Sequence, residues 1–133
     1  MKQKTLINML WLILLSGHLF AQSTKTNTME QQIFIDKFFV PAASVNEFTE
    51  RMNINRKFIS KLPGFIKDEA FERRDEQGNL ICITIAIWEN EAALKKARET
   101  VQAEYKREGF DMPAMLNRLQ ITMDRGLYTR SKE

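Results

Sequence analysis

The chain has 133 residues, 44% of them hydrophobic and 28% charged. This is the size and mixture of one folding domain, and it excludes wholesale disorder. Five Gly and three Pro exclude a low-complexity or repeat-built protein.

The first residues read as an address. Lys2 and Lys4 precede an apolar run from Leu6 to Leu15, broken only by Asn8, and Ala21 ends the segment. A basic start, a short apolar run and a small residue make a secretory signal peptide, expected over 1–21 with cleavage after Ala21. The run is shorter than the roughly 20 residues a membrane-spanning helix needs. The protein is therefore expected to be secreted or periplasmic, with no membrane association after cleavage. Losing Lys2 and Lys4 lowers the formal charge from +3 to +1. That balance offers no electrostatic footprint for nucleic acid. The only histidine, His18, leaves with the same segment. Histidine-based catalysis and histidine-ligated metal or haem are thereby excluded from the mature chain. The single cysteine, Cys82, forms no disulfide within the chain and is expected to be buried.

Residues 22–29 are polar and aperiodic, and read as a flexible tail before a domain over 30–130. Residues 31–40 are rich in β-branched and aromatic side chains and predict a strand ending at Pro41. One face of it carries Ile33 and Ile35, the other Phe34, Asp36 and Phe38. Ser44 and Glu47 have capping-box spacing. Behind them Val45, Phe48, Met52, Phe58, Ile59 and Leu62 recur at helical spacing, predicting a helix over 45–61 stopped at Pro63-Gly64. Asn55 falls on that apolar stripe.

Residues 65–73 and 80–88 predict a β-hairpin around the turn Asp75-Glu76-Gln77-Gly78-Asn79. The second strand has Ile81, Ile83, Ile85 and Ile87 on one face, and Leu80, Cys82, Thr84, Ala86 and Trp88 on the other. Asn90 is placed to cap a helix over 91–108, striped by Leu94, Ala97, Val101 and Tyr105 and stopped by Gly109. A short helical turn over 112–117 and a last strand over 119–128 complete the chain.

The order β-α-β-β-α-β predicts an α+β, ferredoxin-like split βαβ fold, with four antiparallel strands and two helices on one face. The four isoleucines are the natural face to lie beneath the helices. The opposite face, with Cys82, Thr84, Ala86, Trp88, Phe34 and Phe38, is then expected to be bare and to need a partner subunit or a ligand as cover.

The strand ending in Val40-Pro41, the Leu62-Pro63-Gly64-Phe65 step and Ile83-Thr84-Ile85-Ala86-Ile87-Trp88-Glu89 before a helix resemble the antibiotic biosynthesis monooxygenase domain of the dimeric α/β-barrel superfamily. The resemblance spans roughly residues 30–128. It implies a homodimer whose two sheets close into a barrel, and a pocket for a small molecule between sheet and helices. Some members of that family oxygenate polycyclic phenols with no cofactor, because the deprotonated substrate reduces oxygen itself. Others degrade haem with an axial His, an Asn and a Trp; Trp88 matches that Trp, but the mature chain has no His.

The candidate site residues follow. Trp88 is a wall for a planar ligand, or a tryptophan joining strand to helix. Asn55 requires partners if buried, and could donate to a substrate carbonyl or phenolate. Asp36 between Phe34 and Phe38 is a candidate catalytic base, or the partner of a basic residue. Phe34, Phe38 and Thr84 are further candidates for substrate binding. Arg73, Arg125 and Asp124 are weaker candidates to touch substrate. Met112 and Met115 flank Pro113 at a place suited to a pocket mouth, with core packing as the ordinary role. The expected activity is cofactor-independent monooxygenation of a small aromatic molecule, with no metal. The alternative is a non-catalytic ligand-binding or sensing dimer.

Overall fold

The structure is a computed structural model that describes residues 30–132; the expected signal peptide over 1–21 and the expected tail over 22–29 lie outside them. The elements run β1 (Gln32–Val40), α1 (Val45–Ile59), β2 (Phe65–Arg74), β3 (Leu80–Trp88), α2 (Glu91–Glu108), α3 (Met112–Arg118) and β4 (Thr122–Tyr128). One turn of 3-10 helix, Ala42–Ser44, leads into α1. The four strands form one antiparallel sheet in the order β2-β3-β1-β4. This is the ferredoxin-like plan, as expected.

Local chemistry accounts for most boundaries. Asn90 caps α2 by accepting from the backbone N–H of Ala93 at 2.9 Å, and Gly109 ends the helix in the left-handed region, at φ 66°. Asp111 caps α3 in the same way, accepting from the N–H of Ala114. In the hairpin turn, one carboxylate oxygen of Asp75 accepts from the N–H groups of Gln77 and Asn79. The other accepts from the side chain of Asn79. The capping box at α1 does not form. The Ser44 hydroxyl instead donates to the carbonyl of Leu119, and Glu47 pairs with Arg118. Both residues thus tie α1 to α3 and its C-terminal turn.

The helix-covered face of the sheet is the reverse of the expected one. Phe38, Val40, Leu80 and Cys82 are buried with Val45 and Phe48 of α1 and Met115 and Leu116 of α3. A second cluster joins Trp88 to Leu94 and Ala97 of α2. Phe34, Phe38, Cys82, Thr84, Ala86 and Trp88 therefore lie beneath the helices, and the isoleucine face is the bare one. Among the described residues no helix packs on that face, where Phe39, Phe71 and Tyr128 remain exposed beside Ile81 and Ile83. β3 is apolar on both faces, and Phe38, Val40 and Leu80, among the most fully buried side chains, lie on the side the helices cover. Cys82, Thr84 and Ala86 are small, and small side chains under the helices leave room between the two layers.

Candidate functional site

That room is a cavity of about 760 Å³, within the range typical of small-molecule sites. Its sheet wall is Phe34, Ala86, Trp88 and Met123; its helical wall includes Leu94, Ala97, Val101 and Tyr105 of α2. A smaller cavity of about 90 Å³ continues it towards α1. The two share Phe34, Ile59, Ala86, Tyr105, Met112 and Arg125 in their walls. The outer lining is mainly apolar, whereas the inner one sets Phe34, Phe38, Met52 and Ile59 beside Asp36, Asn55, Arg56, Asp68 and Thr84.

The fold gathers the six main candidates here, Phe34, Asp36, Phe38, Asn55, Thr84 and Trp88. Phe34 borders both cavities. Asp36, Phe38, Asn55 and Thr84 border the inner one, and Trp88 the outer one. Asp36 and Thr84 face each other across β1 and β3, so the register of the sheet sets their spacing. Phe38 is only 1% exposed and packs its ring on Phe48 at 5.0 Å. It is floor rather than gripping surface. Trp88 packs with Leu94 and Ala97 of α2, joining strand to helix; its indole meets Phe65 of β2 edge-on at 5.6 Å, and it also borders the cavity.

Asn55 is the most informative residue. It is 4% exposed, and neither its amide nitrogen nor its amide oxygen has a hydrogen-bond partner. A buried amide left unpaired costs about 1–3 kcal/mol. Asn55 borders the inner cavity, so a ligand there could meet both atoms.

Asp36 is buried and engaged. Arg125 Nε donates to Oδ1 at 2.7 Å and Nη2 to Oδ2 at 2.8 Å, a two-pronged pair. The pair raises the Arg125 pKa above its ordinary value, chiefly through these hydrogen bonds. The alternative given above for Asp36, partner of a basic residue, is the observed one. Its geometry makes it the holder of Arg125, whose guanidinium also lies 5.0 Å from the Phe34 ring centre. Arg73 and Asp124 fall on the bare face and take no part.

Sequence reasoning passed over two contributors. Tyr105 read as one more apolar position of α2, yet it borders both cavities, and burial raises its phenol pKa. A tyrosine in an apolar stripe is a signal in itself, because its hydroxyl needs a partner once buried. Arg98, exposed on α2, lies 5.2 Å from the Phe34 ring centre, at the cavity wall. Met112 borders both cavities, whereas Met115 is core. Cys82 is buried, and burial pushes its thiol up to about 11. No cluster of three or more metal-ligating side chains occurs among the described residues.

Solved structures share this architecture. A candidate monooxygenase from Shewanella loihica superposes with a TM-score of 0.58 at 22% identity, covering 77% of this chain and 96% of its own. SnoaB, a cofactor-independent oxygenase from Streptomyces nogalater, gives 0.58 at 23% identity, covering 78% and 96%. A candidate antibiotic biosynthesis monooxygenase from Bacillus cereus gives 0.52 at 24%, again covering 78% and 96%. The chain has the fold of these oxygenases. No family model matches the sequence, and no curated protein matches it. The likeness is one of fold, and it agrees with the resemblance read from the Pro63-Gly64 step and Trp88.

Proposed function

We propose that this protein is an exported homodimer that binds a planar aromatic molecule between sheet and helices and oxygenates it without metal or flavin. The observation that carries the reading is the unpaired, buried amide of Asn55 at the inner end of a large apolar cavity. Trp88 and Phe34 offer aromatic walls to a flat ring system. Asn55 would hydrogen-bond the ring's oxygen and stabilise it as an anion. The deprotonated ring is itself the reductant. It gives an electron to O₂, the resulting radicals combine as a carbon-bound peroxide, and loss of water leaves a carbonyl. For 9-anthrol the balance is one O₂ consumed, with one anthraquinone and one water formed. Asp36 serves here by holding Arg125; to act as the base foreseen for it, it would first have to release the guanidinium. Export rests on the signal-peptide pattern of residues 1–21, and the dimer on the apolar patches of the bare sheet face.

Asn55→Ala tests the reading. Loss of one group stabilising a developing oxyanion costs about a hundredfold in turnover. Oxygen uptake with 9-anthrol should fall by that order, while the melting temperature holds or rises because an unpaired buried amide has gone. Unchanged uptake would remove Asn55 from the chemistry. Binding of 9-anthrol without any protein-dependent uptake would favour the second reading, a ligand-binding dimer. That reading draws support from the engagement of Asp36 by Arg125, which leaves the inner cavity without a free carboxylate at this position.

A further inference from the structure

We infer that the ligand of this cavity carries a permanent acidic group, a carboxylate or its like, seated between Arg98 and Arg125 beside the Phe34 ring. The inference deepens the proposed function and rests on the cavity being the ligand site.

The wall contributed by α2 is divided by helical spacing. Ala97, Val101 and Tyr105 recur every four residues, as do Arg98, Gln102 and Lys106 one position on. The first row is apolar apart from the tyrosine hydroxyl. The second row is polar and cationic, and its residues are exposed where they border the cavity. The cavity is thus amphipathic.

Two guanidiniums converge on one aromatic ring. Arg98 and Arg125 lie 5.2 and 5.0 Å from the centre of Phe34, each within cation–π range. The two like charges are thus held within about 10 Å of each other and repel. One carboxylate compensates them, that of Asp36, and it takes Nε and Nη2 of Arg125. Nη1 of Arg125 is left over. Arg98 makes no ion pair with any described residue. Asp111, the carboxylate in the outer cavity wall, spends one oxygen capping α3. Around the outer cavity Arg98, Lys106 and Arg125 thus outnumber the carboxylates of Asp36 and Asp111 by one charge, beside donors suited to a planar anion. The location is separate from Asn55, which borders only the inner cavity. A ligand satisfying both ends is a flat, mainly apolar body with an acidic group at one end and a ring oxygen at the other.

The test compares two probes of nearly equal shape, anthracene-9-carboxylate and anthracene-9-carboxamide, titrated by fluorescence against the full domain. The acid should bind about tenfold tighter than the amide. Its advantage should fall as salt is raised from 20 to 300 mM, with the amide unaffected. Arg98→Gln, a change at an exposed position, should reduce the ratio to about twofold by weakening the acid far more than the amide. Equal binding of acid and amide by the wild type, or an acid preference insensitive to both salt and Arg98→Gln, would overturn the anion site and leave the cavity reading standing. Failure of both probes to bind would overturn the cavity reading and this inference with it. Should Arg98→Gln fail to fold, the salt dependence of the wild type decides alone.

Discussion

The amide of Asn55 offers one acceptor oxygen and two donor hydrogens, and a helix stripe made of Val45, Phe48, Met52 and Ile59 has no evident need of them. The same reasoning at residue scale explains Cys82 differently. The thiol is buried near Glu72, and its burial, seconded by that carboxylate, holds the proton. With the folded pKa at about 11 against an ordinary 9.0, the thiol stays protonated at pH 8. DTNB at pH 8 should leave Cys82 unmodified in the folded protein and label it fully in denaturant; fast labelling of the native state would refute the burial. The sign of the linkage follows. Between about pH 9 and 11 the unfolded chain loses this proton and the folded chain keeps it, so this thiol's contribution lowers stability as pH rises through that window.

At the scale of elements, the junction of β2, β3 and α2 explains the Pro63-Gly64 step. Gly64 has φ 79°, a left-handed backbone that favours glycine. Its carbonyl accepts from the N–H of Glu89 at 2.8 Å, clamping the start of β2 to the end of β3. A Cβ at this position would collide with the Cβ of Ala93 in the first turn of α2. The left-handed conformation costs a non-glycine residue about 1–2 kcal/mol. Overpacking adds about 1–3 kcal/mol. Gly64→Ala should therefore lower the melting temperature by on the order of 10 °C in a domain this size. A shift of only 1–2 °C would show that the junction relaxes freely. Because α2 forms one wall of the cavity, the same variant should also weaken binding of an aromatic probe.

For the whole molecule, the bare sheet face is the open question of assembly. Ile81 and Ile83, with Phe39, Phe71 and Tyr128, give it apolar patches among the charges of Lys37, Lys67, Glu69, Arg73 and Asp124, and the helices already occupy the other side. Apolar patches of this kind mark an interaction surface. The proposed occupant is a second copy of the same face. The mature chain should sediment as a dimer at micromolar concentration, and Phe71→Glu combined with Ile83→Glu should convert it to a monomer with an unchanged circular dichroism spectrum. A monomeric wild type would sink the dimer.

The sequence by itself determined the elements and their order. Apolar alternation over 80–88, the Asn90 cap and Gly109 stop of α2, and the Asp75 turn act over a few residues, so they are legible in a linear text. It also brought Asp36, Asn55, Phe34, Phe38, Thr84 and Trp88 forward, since a polar group in an apolar stripe, or an aromatic at a strand end, is visible without coordinates. Only the tertiary structure decided which face of the sheet the helices cover. β3 is apolar on both sides, so its alternation has no hydrophobic asymmetry to read. The choice depends on α1, α2 and α3 packing against β1 and β3 together, and on the small Cys82, Thr84 and Ala86 leaving space there. The partners of charged groups were likewise beyond local reading. Arg125 meets Asp36 across 89 positions of chain, and Arg98 meets Phe34 only because α2 lies over β1. Ion pairs and cavities are set by which elements become neighbours in space, and one-dimensional spacing carries little of that information.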